Sequence, residues 1–223
     1  MPGTPAPTVG EHAIGMMIAL TRGFVENDRA AREIHWDECV REWPTFSGKR
    51  LGILGYGNIG RETAKRAAGF DVEIGYHGRR EQKAVPHRYF ATTGELADWA
   101  DYLLVSLPAS DATRHIIDDK VLERLGPRGY LINVARGSVV DTQALDRALK
   151  DGIIAGAALD VVEGDPEIPT SLLRAPNLLL SPHVAGKSPE GAALKLGIIR
   201  ANIENHLTGG KVLSPVAEMA EGE

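Results

Sequence analysis

Gly55, Gly57 and Gly60 follow the apolar run of residues 51–54 in the order G-x-G-x-x-G, and each of the three has a physical reason to be glycine. The first permits a tight turn out of a strand, the second lets backbone approach a pyrophosphate, and the third lets the next helix pack on the sheet. The helix opened by Asn58 and Ile59 then directs free N–H groups and its positive dipole end at that anion. Glycine makes up 25 of 223 residues, so the pattern alone is weak. It gains weight from the strand-like run "LGIL" before it and from Ala64, Ala67 and Ala68, which form one small-residue helix face after it.

A second strand over residues 72–76 ends in His77-Gly78-Arg79-Arg80. A free ribose hydroxyl is usually held at such a tip by an acidic side chain, whereas a ribose 2′-phosphate needs positive charge. Guanidinium grips phosphate at two points and stays charged at physiological pH. The tip therefore reads as binding NADP(H) in preference to NAD(H), with Arg79 first and Arg80 in support. NAD(H) remains the alternative, since paired arginines at a strand end also occur as plain solvated charge.

Three more chemistry-bearing residues stand just after apolar runs: Arg136 after "LINVA", Asp165 after "AALDVV" and His183 after "LLLSP". A fixed cation stabilises carboxylate and developing alkoxide charge, and imidazole titrates near working pH. Glu163, two residues before Asp165, is a second candidate for the acid. Ser138 follows Gly137 without a G-x-S-x-G elbow and is assigned to a turn. His12, His35, His87, His115 and His206 read as surface or cap residues, and no pair has the spacing of a metal site.

These residues need elements to position them. Pro2, Pro5 and Pro7 predict an extended arm. Thr8 then caps a helix, with Glu11 as its capping-box partner. Residues 9–33 read as one long helix whose apolar face (Ile14, Met17, Ile18, Leu20, Phe24, Val25) serves packing or dimerisation. Residues 36–49 are a loop. A strand at 87–92 follows, with a helix at 93–99 capped by Thr92 or Thr93. Next come the strand "ADYLLVSLP", helical segments near Asp111 and at 118–125, the strand "YLINV", the helix "DTQALDRALKDG", and the strands "IAGAALDVV" and "NLLLSP". The alternation predicts an α/β fold: a Rossmann-type, doubly wound parallel sheet with helices on both faces. Ligands gather beyond the carboxyl ends of such strands, which here are residues 56–59, 77–80, 106–108, 135–137, 161–165 and 183–186. Leu194, Leu196, Ile198, Ile199, Ile203 and Leu207 mark a last, amphipathic helix over 189–207.

The net charge of −5 and the scattered arginines exclude a nucleic-acid-binding field. Apolar stretches near residues 14–20 and 153–162 are too short to span a bilayer, and the first residues lack a secretory pattern. Cys39 is the only cysteine, which fits a reducing compartment and a cytoplasmic location.

The motifs "LGILGYGNIG", "LINVARGSVVD", "GAALDVVEGDP" and "SPHVAGKS" resemble, in order and spacing, the D-isomer-specific 2-hydroxyacid dehydrogenases, particularly the glyoxylate and hydroxypyruvate reductase branch. The resemblance runs from about Thr8 to the C-terminal region. It implies hydride transfer between NADP(H) and a small 2-keto or 2-hydroxy acid. By position, Arg136 matches the arginine that binds the substrate carboxylate and polarises the keto oxygen. His183 matches the acid/base, and Asp160 the partner of the nicotinamide carboxamide. Asp165 stands where the family normally has the glutamate that orients the histidine, and it is shorter by one methylene. The implied coenzyme contacts are Gly55, Gly57, Asn58, Ile59, Gly60, His77, Arg79, Arg80, Leu107, Pro108, Thr113, Val134, Ala135, Arg136, Asp160, His183, Ala185 and Gly186. The family's substrate-binding domain begins before the long helix, so residues 1–186 are expected to form a dinucleotide-binding domain with a dimerisation helix. Residues 187–223 are then expected to be the C-terminal helix and tail of the substrate-binding domain. A homodimer through the N-terminal helix follows. The rival readings are a nucleotide-binding regulatory module like the family's corepressor members, and a structural remnant completed by a partner chain.

Overall fold

Short apolar runs become the strands of one seven-stranded parallel sheet in the computed structural model, which describes residues 5–33, 36 and 42–214. They are β1 (Arg50–Leu54), β2 (Glu73–His77), β3 (Arg88–Tyr89), β4 (Tyr102–Val105), β5 (Tyr130–Asn133), β6 (Gly156–Leu159) and β7 (Leu178–Leu180). Their spatial order is β3-β2-β1-β4-β5-β6-β7. The chain enters at β1, winds outward to β3, then returns to β4 and winds the other way, so the switch point lies between β1 and β4. Register pairs Leu54 with both His77 and Val105, Asn133 with both Val105 and Leu159, and Leu159 with Leu180. The carboxyl ends therefore form one level row, at which every candidate site residue is found.

Both faces of this sheet are covered, which is why its strands read as unbroken apolar runs. On one face Leu51, Ile53, Tyr102, Leu104, Ile132 and Ala158 pack against α1 (Ala6–Thr21) and α3 (Asn58–Ala67). On the other, Leu54, Leu103, Val105, Leu131, Ala157 and Leu159 pack against α4 (Thr93–Trp99), α5 (Asp119–Leu125), α6 (Thr142–Lys150) and α7 (Thr170–Leu173). Local start signals are obeyed. Thr92 and Glu95 form a reciprocal capping box on α4, and Asp118 and Asp141 cap α5 and α6. The strand expected at 87–92 shrinks to β3, because residues 91 and 92 turn away to start α4.

The N-terminal segment departs from expectation. Pro5 is the N-cap of α1 and Pro7 lies in its first turn, where a missing N–H costs nothing. Thr8 is thus inside the helix, 3.4 Å from Ser188 Oγ, and Glu11 pairs with Arg66 of α3; no Thr8–Glu11 capping box forms. The single helix expected over 9–33 is instead two, α1 and α2 (Phe24–Arg32), separated at Gly23. Gly23 has φ 58, and a Cβ there would lie 2.2 Å from the Trp43 ring, so only glycine accommodates the indole. The buried face of α1, made of Val9, Ala13, Ile14, Met16 and Met17, belongs to the chain's own core. Phe24 and Val25 of α2 are each 54% exposed.

The last helix, α8 (Pro189–Leu207), is capped by Ser188 and buries only Gly191. Leu194, Leu196, Ile199, Ile203 and Leu207 are exposed and Ile198 is half-buried. Residues two apart, such as Leu194 and Leu196, project from opposite sides of a helix, so the single amphipathic face expected here does not form. Pro2, His35 and Cys39 lie outside the described residues. Among those described, no helix is long and apolar enough to cross a membrane, and no His/Cys/Asp/Glu cluster could hold a metal.

Candidate active site

Gly55 leaves β1 with φ 99, and a Cβ there would sit 2.6 Å from the Leu107 nitrogen. A side chain would drive the β1 and β4 ends apart. Ser106 fixes the turn by donating from Oγ to the Gly55 carbonyl at 2.8 Å. A Cβ on Gly60 would lie 2.6 Å from that same carbonyl, whereas one on Gly57 would meet nothing within 4 Å. Beside Gly57 there is open space at the start of α3, where no side chain caps the helix. An uncapped helix start facing a bare glycine suits a pyrophosphate. Tyr76 packs its ring at a tilt against both Tyr56 and Tyr89, with His87 edge-on to Tyr56. Burial holds the His87 imidazole below its usual pKa and pushes the Tyr56 hydroxyl up.

At the end of β2, His77 Nδ1 lies 2.9 Å from the Phe90 carbonyl, and Arg79 and Arg80 are exposed. After β4, Leu107 is buried and Pro108 exposed. Thr113 donates to the Pro108 carbonyl at 2.9 Å and accepts from Ser110 N at 2.8 Å, so its hydroxyl shapes this loop. After β5, Val134 and Ala135 are buried and Arg136 is exposed. The fully buried Asn133 holds their turn, accepting from Ala135 N and donating to the Arg136 carbonyl.

Asp160, at the end of β6, is 3% exposed. Its Oδ1 accepts from Ser181 Oγ at 2.7 Å and Val184 N at 2.9 Å, and its Oδ2 from Ala185 N at 3.0 Å. Its carbonyl accepts from His183 N at 2.9 Å. This one residue therefore organises the loop that carries His183, whose backbone has φ 55. His183 Nδ1 lies 3.3 Å from Asp165 Oδ2, with side chains 57% and 42% exposed. Glu163 is engaged elsewhere, 2.7 Å from Arg114 and 2.8 Å from His115. Of the two candidate acids, Asp165 is the one beside the histidine. His12 and His115 are half-buried and partnered: His12 Nε2 lies 2.9 Å from Ser181 Oγ and 3.6 Å from Asp160 Oδ1, and His115 Nε2 lies 2.8 Å from Glu163.

The fold thus brings the glycine turn, the Arg79–Arg80 tip, Arg136, Asp160 and the His183–Asp165 pair to one row of strand ends. The sequence reading did not single out Ser106, Asn133, Ser181 or Gln82. For the first two a signal existed: each is a lone polar residue set within an apolar run.

Residues 14–185 match the family described as D-isomer specific 2-hydroxyacid dehydrogenase, NAD binding domain. The chain is 40% identical over 209 residues to a glyoxylate/hydroxypyruvate reductase of Arabidopsis thaliana, covering 93% of this chain and 67% of that protein. It is 39% identical, with the same coverage, to a hydroxyphenylpyruvate reductase of Plectranthus scutellarioides. Among solved structures, it superposes with a TM-score of 0.91 and 35% identity on an NADPH-dependent glyoxylate/hydroxypyruvate reductase of Sinorhizobium meliloti in complex with NADP and malonate. That match covers 98% of this chain and 69% of the other. The chain spans about two thirds of the length of these relatives.

Proposed function

This chain belongs to the D-isomer-specific 2-hydroxyacid dehydrogenases and contains their coenzyme-binding domain, and from that premise we propose that it works in NADP(H)-dependent reduction of a small 2-keto acid of the glyoxylate or hydroxypyruvate type. The observation that carries the proposal is the His183–Asp165 pair, on the same row of strand ends as Arg136 and the glycine turn. A reduced nicotinamide, when bound, supplies the hydride to the carbonyl carbon. Arg136 binds the substrate carboxylate and draws charge onto the keto oxygen. With Nδ1 turned to Asp165, His183 hands the proton on Nε2 to that oxygen, giving the 2-hydroxy acid. Asp165 orients the ring.

Arg79 and Arg80 support the choice of NADP(H), as does the relative solved with NADP. The glycine turn, Asn58, Ile59 and the residues at the other strand ends named above make up the rest of the coenzyme surface. The division at residue 186, self-association through the N-terminal helices and a reducing, cytoplasmic setting belong to the same reading. For self-association the support is the exposure of Phe24 and Val25.

The test mixes the purified chain with NADPH and glyoxylate or hydroxypyruvate and follows the loss of reduced-nicotinamide absorbance. Turnover is expected, falling about a thousandfold in His183→Gln. Turnover undiminished in that variant would overturn the assignment. One observation favours a second reading, nucleotide binding without turnover: His183 and Asp165 are both open to water, which weakens electrostatic contacts. Nicotinamide fluorescence that changes on mixing but does not decay with either keto acid would select it.

A further inference from the structure

Gln82, five residues beyond the end of β2, is bound on all three of its polar groups apart from its carbonyl. Its backbone N–H donates to the Tyr76 hydroxyl at 2.8 Å, its Nε2 donates to the Tyr56 carbonyl at 3.0 Å, and its Oε1 accepts from Arg61 Nη2 at 2.5 Å. Tyr56 is the middle of Gly55-Tyr56-Gly57, and Tyr76 is buried in β2. One side chain thus ties the stretch after β2 to both the glycine turn and the first turn of α3. The other end of that stretch is also held, since the Tyr89 hydroxyl lies 3.4 Å from the Gly78 carbonyl. Arg79 and Arg80 lie between the two fastenings.

Arg61 adds a second, independent clue. A cation in the first turn of a helix opposes the helix dipole; that turn of α3 contains no acid, and the adjacent Glu62 is claimed by Arg66. Its position makes electrostatic sense when an anion lies beside that turn, and Gln82 holds its guanidinium on the side of the Arg79–Arg80 loop.

We propose that Gln82 is the positioning residue for coenzyme choice: it braces the loop at residues 78–82 against the glycine turn, so that Arg79, Arg80 and Arg61 converge on the 2′-phosphate of the adenosine ribose. The brace removes beforehand the freedom that three exposed arginines would otherwise lose on binding.

This inference rests on the NADP(H) reading above, and the test separates the two. Calorimetry uses two coenzyme fragments, 2′,5′-ADP and 5′-AMP, which differ only in the 2′-phosphate. The wild-type chain is expected to prefer 2′,5′-ADP by at least about tenfold, a preference that Arg79→Ala removes. Gln82→Met, which keeps the bulk but none of the side-chain hydrogen bonds, is expected to weaken 2′,5′-ADP about five- to tenfold and 5′-AMP less than about twofold. Should Gln82→Met fail to fold, Gln82→Asn, whose amide is one methylene too short to reach both Arg61 and the Tyr56 carbonyl, is expected to lower the preference likewise. A wild-type chain without preference overturns the NADP(H) reading and the inference with it. A preference lost in Arg79→Ala but kept in the Gln82 variant overturns the inference alone. Equal weakening of both fragments in the Gln82 variant overturns it too, by assigning Gln82 a general structural role.

Discussion

Asp160 shows how much of a site one carboxylate can determine. Three donors from residues 181–185 converge on its two oxygens in a buried setting. In Asp160→Asn one acceptor becomes an NH2 facing an N–H or O–H donor, and the charge that shortened the remaining bonds is gone. The variant is expected to lose about 2 kcal/mol of stability in urea titrations, and to loosen His183 with it. Unchanged stability would mean that the loop is held by other contacts. At this scale the sequence was only half legible. The acid's position follows from its motif, but its donors lie 21 to 25 residues away and became neighbours only through the pairing of β6 with β7. The choice between Glu163 and Asp165 shows the same limit. Two acids two residues apart look alike in a loop, and what separates them is the claim of Arg114 and His115 on the first.

At the scale of elements, α1 is fastened to the sheet through Tyr102. This residue is 1% exposed, stacked on Tyr130, edge-on to Phe46 and 3.0 Å from the Thr21 hydroxyl. Burial pushes its hydroxyl pKa up to about 12. A tyrosine titrates near 10 in the unfolded chain, so its contribution to stability is intact below about pH 10 and is lost as pH rises through about 12. The loss amounts to roughly 2–3 kcal/mol. Unfolding free energy measured across that interval is expected to fall less steeply in Tyr102→Phe than in the wild type, and identical slopes would contradict the assignment. The strands were legible because burial on both sides leaves unbroken apolar runs, and the caps of α4, α5 and α6 because each is complete within four residues. The break between α1 and α2 was not. Gly23 lies inside a helical pattern, and the ring that leaves no room for a Cβ there belongs to Trp43, twenty residues on. Thr8 was read as a cap because it looks like one, whereas Pro5 and Pro7 already satisfied the helix start by lacking N–H groups to cap.

At the scale of the molecule, the glycine turn, Arg136 and the His183–Asp165 pair lie at the carboxyl-end rim of the sheet. The buried face of α1 is filled by the chain's own core, so the proposed self-association would have to use Phe24 and Val25 on α2, which are exposed. Sedimentation at micromolar concentration is expected to show a dimer that Phe24→Glu/Val25→Glu converts to monomer, whereas a wild-type monomer would remove that part of the proposal. A doubly wound parallel sheet was foreseeable from the alternation of strands and helices, but which helix surface stays bare depends on packing that no local pattern records. The sheet's borders also have a consequence. β3 contributes only two residues, with Arg88 lying over the Phe90 ring, and β7 only three. Such brief rims, one of them bearing a cation, offer almost no template for a stranger's strand to zip onto. Fibril seeding by edge addition is thereby suppressed, even though the interior of the sheet is among the most apolar parts of the chain.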